Sequence, residues 1–262
     1  MFLNHFSLTA HPFAEKVPIQ WIQRDPRIDQ ALARLKFFEQ QGTIALLIGQ
    51  TGLGKSSLLR LFIHELPQNR FNPIYIHLTP LSTNAFLRLI VTSLGEKPKA
   101  GKDRIFMQIL DRINQNEKTT LLIIDETHLI DPKTLTDLRL LISCLEDQVA
   151  LKIVLCGQEQ LRQILKRSCH TDLVHRITLR FYMQPLSKDL SSAYIDNRIR
   201  MAGGENKIFD NIAKELIHDY TAGVPRQINN IATACLINAA SRNLKIIDET
   251  LVNETMNEFM LP

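Results

Sequence analysis

The residues from Gly49 to Ser56 could bind a chain of phosphates, because they fit the pattern G-x-x-x-x-G-K-[ST] at every fixed position. Three glycines in this stretch allow the backbone to turn successive N–H groups toward one oxyanion. A helix opening at Lys55 would add its positive N-terminal end. Lys55 would reach the β- and γ-phosphates, and the Ser56 hydroxyl would bind Mg²⁺. The pattern therefore predicts a loop that binds a nucleoside triphosphate.

The segments around this loop fit the same interpretation. The apolar run 44–48 before it predicts a buried strand, and the leucines and phenylalanine after it recur at helical spacing. A glycine-rich turn without a ligand would also explain the glycines, but the strand and helix at the two ends favour phosphate binding. The predicted nucleotide contacts are Gly49, Gln50, Thr51, Gly52, Leu53, Gly54, Lys55, Ser56 and Ser57.

Two acidic residues, Asp125 and Glu126, end the apolar run that begins at Thr119. Continuous apolarity predicts a strand covered on both faces, and the carboxyl end of a parallel strand is where ligands bind. Asp125 would hold Mg²⁺ directly or through water, and Glu126 would polarise the water that attacks the γ-phosphate. These residues could instead cap the next helix, but their position about 70 residues after Lys55 favours catalysis.

A third group is the arginine in the stretch Gly223-Val224-Pro225-Arg226, where a helix is predicted to begin. An arginine is unfavourable next to the positive end of a helix dipole unless an anion lies nearby. A nucleotide phosphate would be such an anion, and a carboxylate of the protein is the alternative. The sequence leaves these two interpretations open.

Strands and helices alternate in the middle of the chain, which predicts an α/β fold with a parallel sheet between helices. The predicted strands lie near residues 44–48, 74–78, 119–126, 151–157 and 176–181. After Pro185 only helical patterns remain, near residues 187–202, 209–220, 225–240 and 248–260. The predicted domains are an N-terminal arm and helix over 1–42, a nucleotide-binding core over 43–184 and a helical lid over 185–262.

The composition sets wider limits. The net charge of +4 over 262 residues permits a nucleic-acid partner without requiring one. Four widely spaced cysteines without zinc-binding spacing are expected to be buried small residues in a reducing compartment. No apolar run approaches the ~20 residues that span a bilayer, so we expect a cytoplasmic protein without a membrane segment.

Two further features have two interpretations each. The aromatic residues Phe6, Phe13 and Trp21 either contact an adenine ring or only anchor the N-terminal arm. The connector 95–102 contains Lys97, Lys99 and Lys102 among Gly and Pro, so we expect an exposed, mobile basic loop. Its lysines are either a solvated surface or phosphate contacts.

In this order the motifs resemble those of AAA+ ATPases and, more narrowly, the ExeA branch. The residues that carry the resemblance are the phosphate loop, residues 121–126, 156–158 and 223–229, the N-terminal stretches 4–8 and 11–13, the segments 125–129 and 184–186, and Tyr194, Ile195 and Arg198. The resemblance covers nearly the whole chain. It implies an AAA+ P-loop fold with a five-stranded parallel sheet and a small helical lid, with ATP and Mg²⁺ as ligands.

The resemblance also implies catalytic roles beyond those of Lys55 and Glu126. Gln158 lies at the sensor 1 position, where Asn or Thr is common elsewhere, and Arg226 lies at the sensor 2 position and contacts the nucleotide. Arg176 best fits the arginine finger that a neighbouring subunit donates, with Arg167 and Arg180 as alternatives. A finger in trans implies a homo-oligomer, because a single subunit lacks the charge that stabilises the transition state.

Two uses of this branch compete. Secretion ATPases of the ExeA type carry a membrane span and a wall-binding region beyond the ATPase part, and we expect neither in this protein. Transposition helpers of the TnsC and MuB type assemble with ATP on double-stranded DNA and recruit or activate a transposase or target-selection protein. We therefore expect a transposition regulator, as a ring or a helical filament, with Lys97, Lys99 and Lys102 on the DNA phosphates. A nucleotide-dependent signalling switch is a further alternative.

Overall fold

A computed structural model describes residues 2–145, 150–205 and 207–259 of the chain. The chain divides into two compact units. The first, which we call the sheet unit, comprises Arg27–Thr51 and Leu58–Met183. The second, the helical unit, comprises Met1–Pro26, Gly52–Ser57 and Gln184–Pro262. The residues of the predicted segment 1–42 thus fall in both units.

The sheet unit is built on five parallel strands in the order β2-β3-β4-β1-β5. The strands are β1 (Ile44–Ile48), β2 (Phe71–His77), β3 (Thr119–Asp125), β4 (Leu151–Gly157) and β5 (Ile177–Tyr182). Every residue of β1 and β4 is buried, as expected for central strands covered on both faces. The predicted α/β fold with a five-stranded parallel sheet is confirmed.

Helices flank this sheet and supply the apolar side chains of its core. Their bounds are α2 (Pro26–Gln41), α3 (Lys55–Glu65), α4 (Thr83–Ser93), α5 (Lys102–Asn114), α6 (Pro132–Leu145), α7 (Glu159–Leu165) and α8 (Thr171–His175). The side chains of Leu87, Ile105 and Leu135, from three different helices, are fully buried in one cluster with those of the strands. This cluster gives the strand ends a rigid base, since packed interiors resist deformation.

A buried lysine ties α2 to the sheet. The Nζ of Lys152 in β4 donates to the carbonyl oxygens of Phe38 (3.1 Å) and Gly42 (2.5 Å) at the C-terminal end of α2. Carbonyls at that end of a helix have no partner within the helix and carry partial negative charge, so a cation is well placed there. Burial lowers the pKa of Lys152.

The helical unit contains α1 (Phe2–His5) and the four helices that the sequence predicts after Pro185, which are α9 (Lys188–Met201), α10 (Asn211–Thr221), α11 (Pro225–Ser241) and α12 (Glu249–Phe259). Side chains cap three of these helices, because Ser187 accepts from the backbone N–H of Leu190, Asp210 from that of Ala213 and Asp248 from that of Leu251. Buried residues such as Ile195 and Leu236 form a separate core. The predicted all-helical region is confirmed.

The first 26 residues are part of the helical unit. Phe6 and Phe13 are buried in its core, and Trp21 packs against that core while partly exposed. Arg198 of α9 donates to the carbonyl of Ala14 at 2.8 Å. This hydrogen bond holds the N-terminal segment against α9 at a second point, after the two phenylalanines. These contacts favour the interpretation that the aromatic residues anchor the N-terminal arm.

The cysteines differ from the expectation. Cys156 and Cys235 are buried, as predicted, but Cys144 and Cys169 are exposed. The prediction was wrong for these two because each lies on the solvent side of a helical element, at the end of α6 and in the turn before α8. Among the described residues, every helix is too short or too polar to cross a lipid bilayer.

Candidate active site

The phosphate loop follows β1, and a hydrogen bond to the neighbouring strand β4 holds its first residue in the sheet unit. The backbone N–H of Gly49 donates to the carbonyl of Gly157 at the end of β4 (3.2 Å). Further along the loop, Gly52 and Gly54 have φ angles of +85° and +96°, which side chains other than glycine rarely adopt. The helix α3 then begins at Lys55, as the pattern predicts. The loop thus has the curled backbone and the helix N-terminus that phosphate binding requires.

Within the helical unit, this loop is in direct contact with the start of α11. The backbone N–H of Arg226 donates to the carbonyl of Gly52 at 3.2 Å. A Cβ added to Gly52 would lie 2.8 Å from the Cβ of Arg226 and 3.1 Å from the Cγ1 of Val224. The structure therefore brings together two predicted groups that are more than 170 residues apart in the chain.

The guanidinium of Arg226 has a carboxylate partner, which was one of the two interpretations that the sequence left open. Its Nη2 lies 3.1 Å from the Oε1 of Glu15, and the two side chains are 52% and 78% exposed. An ion pair this exposed contributes little free energy and does not lock either side chain. Arg226 can therefore leave Glu15 for a phosphate at small cost, and its predicted nucleotide contact remains a prediction.

In the sheet unit, Asp125 is fully buried at the end of β3. Its Oδ1 accepts from the backbone N–H of Glu126 (2.9 Å), and its Oδ2 accepts from the Tyr75 hydroxyl (2.6 Å). The Nδ1 of His77 lies 3.9 Å from the same Oδ2. Tyr75 and His77 are alternate residues of β2, the strand next to β3, and the hydrogen bond from Tyr75 orients the carboxylate.

The predicted magnesium ligands Ser56 and Asp125 offer a hydroxyl and a carboxylate, the hard oxygen donors that Mg²⁺ takes. Among the described residues, no group of three His, Cys, Asp or Glu side chains could hold a metal by itself. Mg²⁺ is commonly held by one or two protein oxygens together with substrate phosphates, so the residues present fit this ion.

Glu126 has a strained backbone. Its φ and ψ angles of 58° and 33° are left-handed, which costs free energy for a residue with a Cβ. The turn Thr127–Leu129 holds it there, because the Thr127 hydroxyl donates to the carbonyl of Ile124 at 2.6 Å. The side chain of Glu126 makes no capping hydrogen bond to this turn. The geometry thus disfavours the capping interpretation for Glu126 and suits a side chain that is held for another role.

Gln158 lies at the end of β4, immediately before α7, and contacts the side chain of Glu126. Its Nε2 is 3.4 Å from the Oε2 of Glu126 and 3.1 Å from the Nε2 of His128. The side chain of His128 is mostly buried. The structure therefore groups the predicted sensor Gln158 with the predicted catalytic carboxylate, and it adds His128, which sequence reasoning did not select.

The three arginines proposed for the trans finger lie in different elements. Arg176 is the C-cap of α8 and is partly exposed. Arg167 precedes the turn Ser168–His170, Arg180 lies within β5, and both are exposed. Arg180 donates to the carbonyl of Val174 at 3.3 Å. The role of Arg176 depends on a neighbouring subunit and stays a prediction.

The basic connector between α4 and α5 is held by a buried side chain. The Nε2 of Gln108 donates to the Oε2 of Glu96 (2.7 Å) and to the carbonyl of Lys97 (3.1 Å), while its Oε1 accepts from the backbone N–H of Lys99 (3.1 Å). Arg88 also donates to the carbonyl of Lys99. The connector is exposed, as expected, but these hydrogen bonds fix it in place.

The three connector lysines are not equivalent. Lys97 and Lys99 are exposed at the tip of the connector. The Nζ of Lys102 instead lies 2.8 Å from the Oδ2 of Asp137, a largely buried carboxylate of α6. An ammonium engaged by a buried carboxylate has less freedom to contact a phosphate.

Comparison with known proteins agrees with this geometry. The family model described as "AAA domain" matches residues 39–165. The chain is 31% identical over 250 residues to General secretion pathway protein A of Aeromonas hydrophila, a match that covers 92% of this chain. The chain spans 45% of the length of that relative.

Solved structures show the same fold. Cdc6p from Pyrobaculum aerophilum is similar with a TM-score of 0.76 at 17% identity, over 94% of this chain and 70% of that one. The Aeropyrum pernix ORC1 protein, solved in complex with DNA, is similar with a TM-score of 0.69 at 16% identity, over 94% and 67% of the two chains. The fold is therefore that of the AAA+ P-loop ATPases. The chain is similar to AAA domains over residues 39–165 and, over 92% of its length, to a protein of the ExeA type.

Proposed function

We propose that this protein is an ATP-dependent DNA-binding ATPase that oligomerises on double-stranded DNA and regulates transposition by recruiting or activating a transposase. The observation that carries the DNA-binding part is the exposed tip of the connector, where Lys97 and Lys99 are held by Gln108 in an ATPase domain. Lysines presented on a fixed loop suit the regular charges of a duplex backbone without reading its sequence. The similarity to a protein solved with DNA supports the same proposal.

In this proposal the phosphate loop and Lys55 hold the triphosphate. Mg²⁺, when bound through Ser56 and Asp125, supplies positive charge against the phosphate oxygens. Glu126 orients and polarises the attacking water, Gln158 positions this carboxylate, and Arg226 takes a phosphate oxygen in place of Glu15. Arg176 of a neighbouring subunit would stabilise the transition state, which couples hydrolysis to assembly. ATP binding then favours the assembly on DNA, and hydrolysis loosens it.

Two substitutions separate these steps. Lys55→Ala should abolish ATP-dependent retention on duplex DNA, because it removes the contact to the phosphates. Glu126→Gln should bind DNA with ATP and fail to release it, because ATP binds but is not hydrolysed. Sedimentation and ATPase rate, measured with and without duplex DNA, give the readout, and Lys166→Ala on the exposed end of α7 is the control. Equal behaviour of the two variants would refute the switch.

The 31% identity to General secretion pathway protein A favours a second candidate, an ATPase that serves secretion. Such a protein would hydrolyse ATP without a response to DNA. A wild-type protein whose ATPase rate and sedimentation do not change with duplex DNA at low ionic strength would therefore favour the secretion role over the transposition role.

A further inference from the structure

Three side chains meet at the carboxyl ends of β3 and β4, and one of them has no role so far. The Nε2 of Gln158 lies 3.1 Å from the Nε2 of His128 and 3.4 Å from the Oε2 of Glu126, and the Nε2 of His128 lies 3.5 Å from the same oxygen. The side chains of His128 and Glu126 are 10% and 22% exposed. The three groups are therefore close enough, and sufficiently shielded from water, to fix one another.

Hydrogen-bond accounting selects one arrangement of these groups. An amide nitrogen offers two donors, and a carboxylate oxygen only accepts. With the Nε2 of Gln158 between its neighbours, one N–H points to Glu126 and the other to His128, whose Nε2 must then be an acceptor. The opposite orientation of the amide would place its oxygen beside the carboxylate oxygen, which is repulsive. In this arrangement the Nε2 of His128 accepts the hydrogen bond that Gln158 donates.

The position of His128 follows from the backbone. The left-handed Glu126 starts the turn Thr127–Leu129, and the buried hydroxyl of Thr127 pins this turn to β3. The Nδ1 of His128 is buried without a hydrogen-bond partner in the structure. A buried polar atom left unpaired is costly. The ring is therefore kept in an unfavourable place, and its shortest polar side-chain contact in this group is the 3.1 Å contact to Gln158.

We propose that His128 is a positioning residue for ATP hydrolysis, which holds the amide of Gln158 so that this amide holds the carboxylate of Glu126. His128 itself does not contact the substrate. The proposal rests on Glu126 being the carboxylate that activates water, which the Glu126→Gln variant tests separately. The roles proposed above for the phosphate loop, Asp125 and Glu126 do not include His128, so this function is an additional one.

The test is a double-mutant cycle between His128 and Gln158, with steady-state ATPase kinetics as readout. His128→Ala should lower kcat by about 10- to 100-fold, because a small displacement of a catalytic group has an effect of that order. KM for ATP should stay within about twofold, because the ground-state contacts remain. His128→Gln, whose oxygen can accept the same hydrogen bond, should restore most of the rate. His64→Ala, an exposed histidine of α3, is the matched control.

The cycle distinguishes positioning from a structural role. In a Gln158→Ala background, His128→Ala should have no further effect, because the residue through which it acts is gone. An equal loss in both backgrounds, a rise in KM without a fall in kcat, or a His128→Gln variant as slow as His128→Ala would each overturn the proposal. If His128→Ala does not fold, His128→Leu fills the same volume without accepting a hydrogen bond and enters the same cycle.

Discussion

Two residues of the candidate site have positive φ angles for different reasons. Gly52 must lack a side chain because Arg226 and Val224 approach its Cα, and its φ of +85° is one that glycine adopts freely. Glu126 has a φ of +58° and keeps its carboxylate in spite of the strain. A strained residue that persists beside a buried aspartate and a mostly buried histidine is typical of a functional position.

Gly52→Ala should therefore weaken nucleotide binding more than a substitution that only places a side chain at a positive φ angle. The new Cβ would lie 2.8 Å from the Cβ of Arg226, so the loop or the start of α11 must move. Gly101→Ala is the matched control, because Gly101 has a φ of +88° and open space around its Cα. The control should lose about 1–3 kcal/mol of unfolding free energy, the usual cost of holding a side chain in a sparsely populated backbone conformation.

Titration with a fluorescent ATP analogue and thermal unfolding together check this prediction. We expect Gly52→Ala to weaken nucleotide binding by at least about tenfold, which corresponds to ~1.4 kcal/mol, and Gly101→Ala to leave it unchanged. Equal nucleotide affinity in the two variants would show that the close approach of Arg226 does not matter for binding.

The sequence was sufficient for some residues of the site and insufficient for others. Lys55, Asp125 and Glu126 were predictable because their chemistry depends on local spacing along the chain. Tyr75 and Glu15 were not, because Tyr75 reaches Asp125 only through the pairing of β2 with β3, and Glu15 meets Arg226 only when distant segments fold together. Contacts of that kind depend on register and topology, which a single sequence does not encode in readable form.

At the scale of elements, the hydrophobic pattern predicted all five strands that the structure describes, with the largest difference in bounds at β2. The sequence predicted a strand near residues 74–78, which leaves Pro73 outside it. It begins instead at Phe71. β2 lies at the edge of the sheet and pairs only with β3, so the missing N–H of Pro73 can face away from the ladder.

In the connector between α4 and α5, one buried side chain, that of Gln108, holds the backbone that carries the exposed lysines in one conformation. Gln108→Leu should remove the three hydrogen bonds that fix Glu96, Lys97 and Lys99 while it leaves every charge in place. The connector would then be ordered only on binding, which costs conformational entropy. We expect DNA affinity to fall by about two- to tenfold with an unchanged dependence on salt, because that dependence counts the phosphates contacted.

Filter binding of a labelled duplex over a series of salt concentrations measures both quantities. Gln115→Leu, an exposed residue just after α5, is the control for the substitution itself. An unchanged affinity for Gln108→Leu would mean that the fixed conformation of the connector is not used in binding. A smaller salt slope would mean that Gln108 determines how many phosphates are contacted.

At the scale of the whole molecule, distant parts of the chain combine in a way that the sequence did not reveal. Within the helical unit, the N-terminal residues are hydrogen-bonded to the C-terminal helices and turns. The N–H of Thr9 donates to the carbonyl of Ala202 (2.8 Å), and the Nζ of Lys245 donates to the carbonyl of His5 (2.6 Å). The residues of these pairs are 193 and 240 positions apart in the chain. Local pattern could identify the segment 1–26 but not its partner.

Charge, too, must be considered over the whole molecule. A net charge of +4 on 262 residues gives only a weak overall attraction to DNA. Binding at moderate salt then depends on where the positive groups are held. Lys97 and Lys99 have no carboxylate partner among the described ion pairs, whereas Lys102 is paired with the buried Asp137.

This difference gives a quantitative prediction for the lysines of the connector. Each phosphate contact that is lost should reduce the slope of log K against log[salt] by about 0.9 for duplex DNA. Lys97→Ala and Lys99→Ala should each reduce the slope by about that amount, equally on unrelated sequences, because backbone contacts carry no sequence information. Lys102→Ala should change the slope by less and lower the thermal stability more, because it leaves the Asp137 carboxylate buried without its cation. A slope that falls equally for all three lysines would show that Lys102 leaves Asp137 for the DNA, and an unchanged slope for Lys97 and Lys99 would exclude the connector from the DNA contact.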